Sequence, residues 1–138
     1  MAISDKSRKV IVDELNLVAD KMDKSQTGEE KLYYFSAAYS MVQRIFNIEY
    51  ESDLIFIFFV LRETYNTINI RIQALKRGEG LVMLEEEQFS KLTQYTRELA
   101  RLFNSKKDVT DILKKMALLA YTTTGNGHYL VQKGLLKF

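Results

Sequence analysis

The stretch from Asp53 to Arg77, DLIFIFFVLRETYNTINIRIQALKR, restricts the possible folds more than any other part of the chain. Leu54, Phe58, Leu61, Tyr65, Ile68, Ile72 and Leu75 recur at steps of four and three, the spacing of one apolar seam along a helix. A strand is the competing reading, because LIFIFFVL is rich in aromatic and β-branched residues and Ile68, Ile70 and Ile72 alternate with Asn69 and Arg71. No turn signal breaks the run, however, and strands rarely extend so far. At ~1.5 Å per residue the segment is a helix of about 37 Å, ordinary for a bundle. Its fully apolar part, Leu54 to Leu61, falls short of the ~20 residues that span a bilayer, so a buried helix is predicted.

A chain of 138 residues is expected to form a single domain, residues 1–138, with a real core. With no proline and only six glycines, nothing interrupts the periodic segments except at their ends. Cysteine is absent, which excludes disulfides, thiolate metal sites and thiol nucleophiles. A formal charge of +2 does not by itself imply nucleic acid or an anionic membrane. MAISDKSRKV lacks the apolar segment of a signal peptide, so a cytoplasmic location is the expectation.

The remaining segments complete an all-α reading. An up-and-down antiparallel bundle of four to five helices is predicted, with helices near 5–22, 28–49, 53–77, 81–103 and 108–121. Ile11, Leu15, Val18 and Met22, widened by Val10 and Leu17, stripe the first helix. Thr27-x-x-Glu30 is a capping box opening the second, whose two adjacent stripes demand neighbours on more than one side. Ser52 or Asp53 caps the third, and Gly78 supplies its left-handed stop. Phe89, Leu92, Tyr95, Leu99 and Leu102 mark the fourth; Ile112, Leu113, Met116 and Leu119 mark the fifth. TTTGNGHYLVQKGLLKF loses the helical period, so the tail is expected to be irregular or hairpin-like, with Lys133-Gly134 as a turn. Leu81–Leu84 is the segment that would pair with it as a strand.

Chemistry-bearing residues are sparse. A di-iron centre needs Glu-x-x-His on two helices, and this chain has one histidine, while Glu85, Glu86 and Glu87 diverge around a helix; no metal or cofactor is expected. Gly125-Asn126-Gly127 resembles a phosphate cradle but follows a helix end and lacks a Gly-Lys-Ser/Thr triplet, which favours a structural stop. The ligand-binding candidates are Arg62, Asn126 and His128. Arg62 lies about 40° around the helix from Phe58 at ~100° per residue, near the seam, where a guanidinium needs a partner. His128 is the single histidine, and no nucleophile or acid accompanies it in a recognisable order. Six lysines against two aspartates from Ser105 to Phe138 give that edge a net +4, read as a solvated face.

The lack of cysteine and proline, the many Ile, Lys and Tyr residues, the capped helices and the TTTGNGHYLVQKG tail together resemble small uncharacterised helical proteins of thermoacidophilic archaea. That resemblance implies neither an activity nor a site. In outline the bundle is also similar to the cobalamin adenosyltransferases. Their Arg-x-x-Arg-Arg-x-Glu run is absent, and Arg97-Glu98-Leu99-Ala100-Arg101 does not match it.

The outer side of the third helix carries the most specific expectation. With Phe58 inward, Phe56 and Val60 fall near 160° and 200° at ~100° per residue, and Phe59 flanks them. Farther along, the outer positions Glu63, Thr67 and Arg71 are polar. Phe56, Phe59 and Val60 are therefore expected to form an interface in a homodimer or larger assembly, unless the fifth helix or the tail covers them. A non-enzymatic, self-associating interaction protein is the leading reading. A small-ligand or nucleotide-binding bundle enzyme, and a nucleic-acid-associated subunit, are the alternatives; neither nucleic acid nor membrane is the expected partner.

Overall fold

The computed structural model describes residues 3–79 and 86–137, and these form an all-α bundle. Six helices follow in order: α1 (Asp5–Lys24), α2 (Gly28–Ile48), α3 (Ser52–Lys76), α4 (Glu86–Asn104), α5 (Thr110–Tyr121) and α6 (Gly125–Gln132). The expected start of the fourth helix near Leu81, and the strand considered at Leu81–Leu84, lie outside the described residues.

Local chemistry sets most of the helix ends. The Ser4 hydroxyl accepts from the Ser7 amide at 3.1 Å, and Thr27 Oγ1 accepts from the Glu30 amide at 3.1 Å. Only this half of the expected capping box forms. Ser4 also donates its amide and hydroxyl to the Glu49 carboxylate, both at 3.1 Å, pinning the start of α1 to the end of α2. The Ser7 hydroxyl, then the Ser4 amide, hold that carboxyl below its ordinary value. Neither Ser52 nor Asp53 caps α3. Its N-cap is Glu51, with no side-chain bond, so the burial of Leu54 and Ile57 rather than a cap fixes this end.

Three helices stop in the same way. At Gly78 (φ 74°) the Glu79 amide bonds the Ala74 carbonyl and the Gly78 amide bonds that of Leu75. Gly134 (φ 75°) ends α6 with the equivalent pair to Leu130 and Val131. At α4 the left-handed position is occupied by Lys106, φ 58°, again with the matching bonds from Lys107 to Leu102 and from Lys106 to Phe103.

The tail is where expectation fails. Part of it is helical: Thr124 Oγ1 accepts from the Gly127 amide at 2.9 Å and opens α6, Lys133-Gly134 is a helix stop rather than a strand turn, and only residues 133–137 are irregular. Gly-Asn-Gly is a poor helix sequence, which hid the element. Docking offsets that propensity, because α6 packs on α5 so closely that a side chain at Gly127 would collide with the Tyr121 carbonyl.

The core is continuous, with Ile11, Leu15, Met22, Leu32, Phe35, Leu54, Leu61, Leu92, Leu99, Phe103, Leu113 and Met116 fully buried. Some seams are rotated from their predicted positions. In α3 the buried line is Leu54, Ile57, Leu61, Thr64, Ile68 and Ile72; Phe58 and Tyr65 are half-buried and Leu75 is exposed. In α1, Val12 and Ala19 widen the stripe, while Val10 and Leu17 face outward. Sequence alone treats every large apolar residue as inward, whereas α3 has neighbours on only two sides.

Those neighbours define the topology. α1 packs on α2 and α4, α2 on α3, and α5 lies between α3 and α4, so α1, α2, α3, α5 and α4 close a ring. The consecutive helices α3 and α4 do not touch among the described residues, contrary to the expectation that short loops pair every successive helix. The directions follow from cross-links. Arg97 pairs with Asp20 and Asp23, Lys106 with Asp5, and Lys76 with Glu29, each joining opposite ends of two helices. Alternation of up and down cannot close around five members. One neighbouring pair must run parallel, and it is α3 with α5: Asp53 and Phe56 share a cavity with Val109 and Thr110, while Glu63 and Arg71 share another with Ala117 and Thr124.

Candidate functional site

The parallel α3–α5 seam carries an open groove of about 640 Å3. Its α3 wall consists of Phe59, Val60, Glu63, Thr64, Thr67, Ile70 and Arg71, which recur at steps of three and four along one helix face. Ala117, Ala120, Tyr121 and Thr124 form the opposite wall. The groove exists because alanines occupy the α5 positions that would otherwise fill it. On the other flank of α3, Tyr39 of α2 packs its ring against Phe58 and Tyr65, with centroids 6.2 and 5.5 Å away. Burial, then the neighbouring Tyr39, pushes the Tyr65 hydroxyl above its ordinary value. α3 thus packs closely on α2 along one flank and borders the groove with α5 along the other.

Two polar groups of the groove wall have no partner among the described residues. Thr64 is 1% exposed, and its hydroxyl makes no hydrogen bond; neither does the buried Nε of Arg71. The buried hydroxyls of Thr93 and Thr96 in α4 behave differently, each donating to the carbonyl four residues back, at 3.1 and 2.8 Å. Arg71 also forms no ion pair among the described residues. Glu63, two turns before it on the same wall, is exposed and equally unpaired.

The candidate residues scatter. Arg62 stands outside the groove in solvent, its guanidinium 5.9 Å from the Phe58 ring centroid, and not in the seam. Asn126 falls in the first turn of α6. His128 is exposed on the same helix, with Nε2 3.2 Å from the Thr122 carbonyl oxygen. The structure does not gather these three into one site. Phe56 and Phe59 are 50% and 60% exposed, and Val60 is half-buried in the groove wall. Ile55, 48% exposed, joins them one turn before Phe59. Neither α5 nor the tail covers Phe56 or Phe59.

Arg8 went unnoticed in the sequence because it interrupts no motif. It is 6% exposed, donates from Nη1 to the Phe103 carbonyl at 2.7 Å, and lies 4.7 Å above the Phe103 ring. It therefore closes the C-terminus of α4, where a cation suits the negative end of the helix. Beside it lies a smaller cavity of about 220 Å3, also lined by Asp53, Phe56, Lys106, Lys107 and Asp108.

No protein-family model, curated protein or solved structure matches the chain. Among the described residues no group of three or more His, Asp or Glu side chains is placed to hold a metal ion. No described helix is long and apolar enough to cross a membrane. The sequence contains no recognisable catalytic motif, and the chain forms an all-α bundle.

Proposed function

We propose that this protein is a non-enzymatic helical interaction protein that self-associates through the amino-terminal half of α3. One observation carries the reading: Ile55, Phe56 and Phe59 stand side by side on the outer face of that helix, each about half exposed. At about 200 Å2 per aromatic side chain, the three present on the order of 300 Å2 of apolar surface, within the range of the largest patch on a monomer. A stable dimer buries about 800 Å2 per partner, so this patch would be the centre of an interface and not the whole of it. Ile48, the last residue of α2, and Tyr50, in the turn before α3, are strongly exposed near the same end of the bundle. A second copy of the chain satisfies this face without any further component, because a two-fold contact places the same patch on itself.

Sedimentation tests the reading directly. The wild type is expected to run as a dimer or larger species. Phe56→Glu should shift it to a folded monomer with unchanged helicity, because Phe56 is not a core residue. A wild type that sediments as a monomer at tens of micromolar concentration would end this reading.

A further inference from the structure

We infer that the α3–α5 groove is a binding site for a small amphiphilic carboxylate, an acid with an aryl or alkyl body. This goes beyond self-association and concerns a site within one chain. Three independent features converge on one cavity. Its volume of about 640 Å3 falls in the range of small-molecule sites, and Phe59, Val60, Ala117 and Ala120 make an apolar floor and walls. Thr64 lines it and is buried almost completely, and its hydroxyl has no partner among the described residues. Arg71 lines the same wall two turns on and has neither a carboxylate nor a carbonyl partner.

Such groups are costly to leave unmade. An unsatisfied buried donor forfeits about 1–3 kcal/mol, and more when charged. Of the three buried side-chain atoms without a partner among the described residues, two line this groove and the third belongs to Arg8. A carboxylate matches a guanidinium with paired N–H bonds. The orientation follows from charge. Glu63 lies toward the Phe59 end and repels an anion there, so the head belongs at the Arg71 end and the body over the alanines.

Isothermal titration with decanoate and 4-phenylbutyrate, each beside the matched neutral alcohol, tests the assignment on the full chain. Saturable binding of one acid per chain is expected, with the alcohols weaker by about tenfold or more, the worth of a charged hydrogen bond. Arg71→Gln should weaken the acids by a similar factor and leave the alcohols unaffected; Arg62→Gln, outside the groove, should change neither. Ala117→Phe fills the cavity from the opposite wall and should abolish binding while Arg71 remains, which guards against a misfolded Arg71 variant. Thr64→Val should raise the melting temperature of the free protein, because it removes a buried hydroxyl without a partner. Absence of binding at millimolar acid, equal binding of acid and alcohol, or full binding by Ala117→Phe would each overturn the assignment. Dimer formation is read separately by sedimentation, so failure of one result leaves the other intact.

Discussion

Lys106 shows how a single residue can work against its own backbone. Its φ of 58° places it in the left-handed region, where a side chain costs about 1–2 kcal/mol and glycine costs almost nothing. Its amine lies 3.1 Å from the Asp5 carboxylate, but both side chains are well exposed, and such pairs contribute little. Lys106→Gly is therefore expected to raise stability by about 0.5–1 kcal/mol, read as a higher denaturation midpoint at unchanged slope. A lower midpoint would show that the lysine is held by more than its exposed ion pair. Individual residues were the least legible level of the sequence. Periodicity placed Phe58 and Tyr65 in the α3 seam, while the structure gives that line to Ile57 and Thr64. A rotation of some tens of degrees about the helix axis decides this, and it depends on where the neighbours stand. Thr64 and Arg71 were invisible as a pair for the same reason: only the alanines of α5, contributed from elsewhere in the chain, make a cavity in front of them.

At the scale of elements the reading went further. Wherever a side chain fixes a helix end locally, as at Ser4 and Thr27, or a glycine stops it, as at Gly78, the boundary was recoverable to within a few residues. α6 was not, because its start depends on a cap followed by three residues that disfavour helix, and its stability comes from contact with α5. That dependence has a measurable form. The position of Gly127 against the Tyr121 carbonyl leaves no room for a methyl group. Gly127→Ala should release α6 from α5, although alanine is the better helix former, and cost about 1–3 kcal/mol, the usual range for single substitutions with a steric cause. Circular dichroism should record a loss of helix confined to one short element, with faster amide exchange from Thr124 onward. A more stable, more helical variant would show that propensity and not packing governs the tail.

For the whole molecule, the all-α class and the bundle followed from the absence of proline and the long uninterrupted periods, while the order of helices around the ring did not. Nothing local in the sequence records that α5, rather than α4, is the neighbour of α3. The self-association proposal belongs to this scale as well, since it concerns the one side of α3 that the ring leaves uncovered.

The odd-numbered ring also has a consequence for how the molecule is assembled in time. The hairpins α1–α2 and α2–α3 join segments close in sequence and can form early. α4 must then return across the bundle to α1, leaving α3 and α4 as two unjoined edges. Only α5 closes them, and it follows α1 to α4 in the chain. Without α5 the sides of α3 and α4 that meet it would lie open, and the chain is expected to behave as a collapsed helical intermediate. A chain ended after Asp108 should accordingly keep much of its far-ultraviolet helical signal, bind a hydrophobic dye and melt without a cooperative transition. Cooperative melting of that fragment would mean that α5 decorates a finished core. In the order proposed here, α5 is instead the step that converts a loose assembly of helices into a protein with a single structure.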